Sequence, residues 1–263
     1  MPIHCPITFP RLTKAEFGKL DYDVMTRAFA TQKVLGCQCD ESVYQGLLAH
    51  LLREGGFQVD CEVPVTLTFR SFLKTLYLDL VINRVAIYEL KAVTRLTQSH
   101  VAQLLNYLLA VNGERGKLIN FRPASVESQF VNAALSDGDR RNFCVLEHDW
   151  HGPEELRQLI LELLADWGTS LHQTLYTQAL VDCLGGDNAV IQQMPMQLDE
   201  VPLGNQRFHL ASPHEAFRIT TFQEELTAGH QYQLRKLLAP SPLEAIHWIN
   251  IARHEVSLNT ITK

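Results

Sequence analysis

The chain has 263 residues, 46% of them hydrophobic and 20% charged, with a formal net charge of −6. That is the composition of a globular protein with room for one large core or two small ones, and no apolar run approaches membrane-spanning length. Residues 1–150 are balanced in charge and the whole negative excess lies in 151–263, so neither part has the basic surplus of a protein that grips long nucleic acid tightly.

Met1–Leu20 lacks the basic start and apolar stretch of a signal peptide, which makes a cytoplasmic location the expectation. Six scattered cysteines show no Cys-x-x-Cys pair and read as free or buried thiols, not a zinc site. Residues 1–18, punctuated by three prolines, read as irregular. Leu20–Leu35 carries Val24, Met25, Ala28 and Phe29 at helical spacing, with Gly36 as its stop. Asp40 is placed to cap a second helix running to about Glu54, and Glu41 in its first turn suits the helix dipole. A strand follows at about Val59–Phe69, in which Pro64 demands an open edge or a bulge.

Leu76–Lys91 reads as two apolar, β-branched strands joined at Asn83-Arg84. Asp79, Glu89 and Lys91 interrupt it. Side chains alternate along a strand, so Glu89 and Lys91 share one face while Leu90 points away from them. The turn decides where Asp79 goes. A two-residue loop pairs Asp79 with Tyr88 and separates the carboxylates; a three-residue loop, Asn83 to Val85, or a bulge pairs Asp79 with Glu89. Two carboxylates on one half-buried face call for compensation, and a hard divalent cation supplies it. The plainer reading is a surface hairpin whose charges face water.

Thr97 or Ser99 opens the next helix, on which His100, Gln103 and Tyr107 form one stripe. Gly116–Phe121 is a further strand. Residues 122–150 look less regular, with a turn at Asp137-Gly138-Asp139 and two edge strands. The order helix, helix, three strands, helix, strand indicates a mixed α/β layer.

Five separated stretches in this order, Leu35-Gly36 with Glu41-Ser-Val-Tyr44, Asp79-Leu-Val, Glu89-Leu-Lys91-Ala, His100-x-x-Gln103 through Tyr107, and Leu118-Ile-Asn-Phe121, resemble the GxxExxY family of the PD-(D/E)xK nuclease-like (restriction-endonuclease-like) superfamily. The resemblance covers about residues 20–125. Gln38 departs from it, standing where the family has a glycine three residues before the glutamate. The resemblance implies that Asp79 and Glu89 bind metal, with the Leu90 carbonyl as a third oxygen, and that Lys91 is the catalytic lysine. It makes Glu41 the helical acid at the site and Gln103 with Tyr107 the polar helix face that lines it. The implied cofactor is Mg²⁺ or Mn²⁺.

The sequence then repeats. Leu96-Thr97-x-x-His100-x-x-Gln103-Leu104-x-x-x-Leu108 returns as Leu226-Thr227-x-x-His230-x-x-Gln233-Leu234-x-x-x-Leu238, and Ile119-Asn120 returns as Ile249-Asn250 at the same offset. Upstream, Gly36 and Tyr44 match Gly168 and Tyr176, and Val63-Pro64-Val65 matches Met194-Pro195-Met196. The charged set does not return: Glu41 falls on Gln173, Asp79 near Leu210 or Ala211, Glu89 on Ile219 and Lys91 on Thr221. The fold expected is therefore α/β, with tandem restriction-endonuclease-like domains of mixed sheets flanked by helices. Residues 1–150 (core about 20–125) carry the complete site, and 151–263 are a degenerate copy completing an intramolecular pseudo-dimer. The function expected is a Mg²⁺-dependent nuclease acting on nucleic acid bound weakly or transiently, with no membrane partner. The alternative is a non-cleaving nucleic-acid-processing accessory or an interaction module with a vestigial nuclease fold.

Overall fold

A computed structural model describes residues 2–224 and 228–263; Leu226 and Thr227, the first two matches of the repeated helix, lie outside them. The chain divides into two units, Met1–Thr68 with Leu73–Asp137, and Phe69–Phe72 with Gly138–Lys263. Each contains a six-stranded mixed sheet flanked by helices.

In the first unit β1 is Ile3–His4 and α1 is Lys14–Leu35. The helix starts well before Leu20 because Thr13 and Glu16 form a reciprocal cap: Glu16 N donates to Thr13 Oγ1 at 3.2 Å and Thr13 N to Glu16 Oε2 at 2.8 Å. It ends at Gly36, whose φ of 70° suits glycine. Then come α2 (Glu41–Glu54), β2 (Val59–Phe69), β3 (Phe72–Ile82), β4 (Ala86–Lys91), α3 (Gln98–Ala110), β5 (Arg115–Asn120) and β6 (Glu127–Asn132). Thr97 caps α3, and its main-chain N–H donates to His100 Nδ1 at 3.1 Å, so His100 serves the cap.

The strands lie in the order β1-β2-β3-β4-β5-β6. Pro64 is tolerated because the described residues of β1 pair with β2 beyond it, at Thr66 and Leu67, and Glu62 takes a left-handed φ of 51°. β3 and β4 are antiparallel, while β4 and β5 are parallel and joined through α3. Helix α3 comes close to β5 at Gly116, where a Cβ would sit 3.1 Å from Ile87 O and 3.2 Å from Leu104 Cδ1. On the other face, Leu80, Tyr88, Leu90, Ile119 and Phe121 make a core with Val24, Tyr44, Leu48 and Leu52 from α1 and α2. Leu90 thus faces α1 and α2, and by alternation Glu89 and Lys91 face the α3 side.

The second unit contains most of α4 (Asp137–Arg141), then β7 (Cys144–Asp149), α5 (Glu154–Trp167), α6 (Gln173–Cys183), α7 (Asp187–Val190), β8 (Ile191–Leu198), β9 (Val201–Ser212), β10 (Glu215–Thr220), α8 (Ala228–Leu238), β11 (Ala245–Ile251) and β12 (Glu255–Thr262). Asp137-Gly138-Asp139 opens a short helix where the sequence suggested a turn. The strand order is β7-β12-β11-β10-β9-β8, with β10 and β11 parallel across α8 and β11 antiparallel to β12. From β8 to β12 this matches the succession β2 to β6.

Two buried polar anchors recur with it. Tyr44 Oη donates to Gly36 O at 2.9 Å and accepts from Cys39 N at 3.1 Å. Tyr176 Oη donates to Gly168 O at 2.7 Å and accepts from Leu171 N at 3.0 Å. Asn120 ties the main chain of Val93 through N and O at 3.0 and 2.8 Å, and Asn250 ties Phe222 in the same way at 2.9 and 3.1 Å.

Candidate functional site

The β3–β4 loop settles the first question. Leu80 pairs with Tyr88, Val81 with Ile87 and Ile82 with Ala86, leaving three residues, 83–85, in the loop. One step further this register sets Asp79 opposite Glu89. The three-residue loop forms because Asn83 and Arg84 both adopt left-handed backbone, φ 51° and 58°, and Asn83 is pinned: its N donates to Gln58 O at 2.8 Å and its Oδ1 accepts from Gln58 N at 2.9 Å.

The charges converge. Leu90 N donates to Asp79 Oδ2 at 2.7 Å, across the strand pair. Lys91 Nζ lies 2.8 Å from Glu89 Oε1, 3.8 Å from Glu41 Oε1 and 4.0 Å from Asp79 Oδ2, and also donates to Leu90 O at 2.7 Å. Glu89 is 1% exposed, and its Oε2 is buried with no hydrogen-bond partner among the described residues. Burial raises the Asp79 carboxyl to about 6, against the lowering effect of the Leu90 N–H and Lys91. Burial and then the Asp79 charge push Glu89 up to about 8. Burial alone would lower Lys91, but the Glu89, Asp79 and Glu41 carboxylates outweigh it and hold the ammonium above its ordinary range.

Gln103 Nε2 donates to Tyr107 Oη at 3.0 Å on α3. They bond to each other and not to the carboxylates, although Tyr107, raised mainly by burial, also feels Glu89 and Asp79. Gln45 is a neighbour the sequence reading passed over. It donates to Asp79 O at 2.9 Å and to Glu62 Oε1 at 2.7 Å, bracing β3 from α2. Its position four residues after Glu41, on the same helix face, was the available signal.

Among the described residues no group of three or more His, Cys, Asp or Glu side chains is arranged to hold a metal ion. The donor set at Asp79 and Glu89 is two carboxylates with the Leu90 carbonyl. That set suits Mg²⁺, which keeps several waters and takes one or two protein carboxylates. The orphaned Glu89 Oε2 and the upward shift of both acids are what a bound cation would relieve.

The strand registers also fix the equivalent positions in the second unit, and they correct the sequence alignment. Glu89 pairs with Leu118 and Lys91 with Asn120; Arg218 pairs with Trp248 and Thr220 with Asn250. Because Leu118 and Asn120 correspond to Trp248 and Asn250, the counterparts of Glu89 and Lys91 are Arg218 and Thr220, each one residue before the Ile219 and Thr221 of a constant offset. The Asn120–Val93 and Asn250–Phe222 anchors require the same shift. Phe217 pairs with His209, so the residue opposite Arg218, in the place of Asp79, is Phe208 rather than Leu210 or Ala211. A constant offset fails because the loop between this strand and the next helix differs by one residue in length.

Residues 18–132 match the family model described as the PD-(D/E)XK nuclease superfamily, which indicates a nuclease-like fold for that segment. No curated protein matches the chain. Among solved structures, the crystal structure of SSO0001 is similar at 18% identity and a TM-score of 0.26. That match covers 46% of this chain and 64%, under two thirds, of that one. No helix of the described residues is long and apolar enough to cross a membrane.

Proposed function

We propose that the first unit is a divalent-cation-dependent phosphodiesterase acting on nucleic acid, of the GxxExxY type, with Mg²⁺ or Mn²⁺ held by Asp79, Glu89 and the Leu90 carbonyl. The observation that carries this reading is the buried, partnerless Glu89 Oε2 facing a second carboxylate. A surface hairpin with solvated charges would not bury them, and two close, largely buried acids that share one ammonium are destabilising. When bound, a cation there supplies the positive charge that polarises a phosphate and acidifies a water.

The side chains divide the remaining work. Asp79 is oriented by the Leu90 N–H and braced by Gln45 through its main chain, so its carboxylate is held for a ligand without rearrangement. Lys91, charged throughout the working pH range, offsets negative charge developing on the phosphate or orients the attacking water. Glu41, 42% exposed by its side chain at the mouth of the site, is the outer acid, and Gln103 with Tyr107 offers polar contacts from α3.

In the second unit the equivalent positions hold Gln173, Phe208, Arg218 and Thr220, none of which offers a carboxylate, so hard-cation chemistry is confined to the first. We read the units as tandem copies, one catalytic and one degenerate, with the boundary at about Asp137 rather than the residue 150 expected from the sequence, because β7 pairs with β12 in the second sheet. The net charge of −6 favours one rival, a copy that binds nucleic acid weakly and does not cut.

The test is cleavage of single- and double-stranded DNA and RNA with Mg²⁺ or Mn²⁺ by wild type, Glu89→Ala and Lys91→Ala. Cleavage that both variants lose while remaining folded supports the enzyme. A wild type that binds the cation and cuts none of the four substrates supports the rival.

A further inference from the structure

The second unit has lost the acids but not the concavity. Between α8 and the sheet lies a cavity of about 560 Å³, lined by Arg218, Phe222, His230, Gln233 and Trp248 among others. It occupies the place in this unit that the carboxylate cluster occupies in the first, since Arg218 is the register counterpart of Glu89. Its volume lies within the range of small-molecule sites.

Its chemistry is inverted. Arg218 is an exposed side chain on β10, an interior strand flanked by β9 and β11, and makes no hydrogen bond or ion pair with any described residue. A guanidinium on an interior strand without a carboxylate is a ready partner for a phosphate, which its planar fork binds in bidentate fashion. Three rings line the same cavity: Phe222 and His230 lie 5.0 Å apart by centroid, and His230 and Trp248 6.3 Å. Trp248, 1% exposed, commits its Nε1 donor to Thr220 Oγ1 at 2.8 Å, so it forms an apolar wall of the cavity. His230 Nε2 faces Glu224 Oε1 at 3.6 Å, which leaves Arg218 as the lining cation without a counter-charge among the described residues. The Gln233 amide is exposed and has no partner, offering a donor and an acceptor together.

An unpaired cation, a ring cluster and an unspent amide match the three parts of one ligand class. We propose that this cavity binds a nucleotide, with its base among the rings of Phe222, His230 and Trp248, its phosphate on Arg218 and its base edge on Gln233. Base–aromatic stacking tolerates any base, because every base has a π-face. The same chemistry is presented by a free mononucleotide and by the 5′-terminal nucleotide of a strand. The proposal does not depend on catalysis in the first unit.

The experiment is calorimetric titration of the full chain in EDTA with adenosine 5′-monophosphate. A Glu89→Gln background keeps the first site out of the measurement. One saturable site is expected, and Arg218→Ala should weaken it by about tenfold or more, the usual worth of a charged hydrogen-bonding partner. Adenosine should bind the unaltered cavity more weakly by the same factor and be indifferent to Arg218→Ala, a comparison that isolates the phosphate even if that variant folds poorly. Phe222→Ala should weaken nucleotide and nucleoside alike. A 5′-phosphorylated oligoadenylate that displaces the mononucleotide identifies a strand end as the source, and one that does not identifies the free nucleotide; either supports the site. No binding of the mononucleotide overturns the proposal, as does equal affinity in folded Arg218→Ala or inorganic phosphate binding as tightly as the nucleotide.

Discussion

Lys91 Nζ and Glu89 Oε1 stand 2.8 Å apart, two residues apart on one buried strand and on the same face of it. One ammonium is thereby shared among Glu89, Glu41 and Asp79, at 2.8, 3.8 and 4.0 Å, and cannot neutralise them all. The pH dependence of stability follows. Asp79 and Glu89 are raised in the folded protein, to about 6 and about 8, above the ~4 of unfolded carboxyls. The folded state therefore holds protons that the unfolded chain has already released, and stability is lost as pH climbs from about 4 through 8. In EDTA, denaturant unfolding should show a loss on the order of 3 kcal/mol between pH 5 and pH 8.5. Asp79→Asn combined with Glu89→Gln should flatten that slope. An unchanged slope in the double variant would show that the acids do not titrate as a buried pair.

Cation binding should run the other way. Mn²⁺ binds the deprotonated pair, so its stabilising effect should grow from pH 6 to pH 8.5 as the competing protons leave. In thermal melts, millimolar Mn²⁺ should raise the midpoint of wild type and of Gln173→Ala equally, and should leave Asp79→Ala unmoved. Equal shifts in all three would place the ion elsewhere.

Lys91→Ala should separate chemistry from binding. Cleavage should fall by about 10²- to 10³-fold, the usual scale for one charge-stabilising donor, while Mn²⁺ still raises the melting midpoint. In EDTA the variant should lose more stability at pH 8.5 than at pH 6, because Glu89 then has neither counter-ion nor proton. A variant that cuts as well as wild type would remove Lys91 from the mechanism.

The recurring tyrosines make a matched pair. Tyr44→Phe leaves Gly36 O and Cys39 N without their partner, and Tyr176→Phe does the same to Gly168 O and Leu171 N. Each should destabilise by about 1–3 kcal/mol, the price of stranding buried polar groups, read from denaturant midpoints at constant slope. Neither should alter the pH dependence described for the carboxylate pair.

Much of this arrangement was legible from residue spacing because it rests on local periodicity. The strand around Pro64 and the Asp79–Glu89 hairpin follow from alternation; α2 opens at Glu41 as expected, although its N-cap Asp40 makes no side-chain cap hydrogen bond. The facing of Asp79 and Glu89 was not decidable: two- and three-residue loops fit the same letters, and the Asn83–Gln58 hydrogen bonds that choose between them join residues far apart in the chain. The early start of α1 was written in Thr13 and Glu16 and was masked by the prolines before them. The second unit's counterparts of Glu89 and Lys91 were misplaced by one residue, because an alignment anchored on α8 cannot see a loop change that only the β10–β11 register reveals.

If the units are tandem copies, as proposed, the recurrence of Tyr44 and Asn120 as Tyr176 and Asn250, beside Phe208 and Arg218 in the places of Asp79 and Glu89, has an evolutionary consequence. The hydrogen bonds that close each unit's frame come from residues other than those at the candidate site, and they are spent on main chain. Selection can therefore act on the two sets separately. One half of such a chain is at liberty to trade carboxylates for an arginine and a phenylalanine and drift toward new ligands, while the anchors that recruit its helices and strands stay in force.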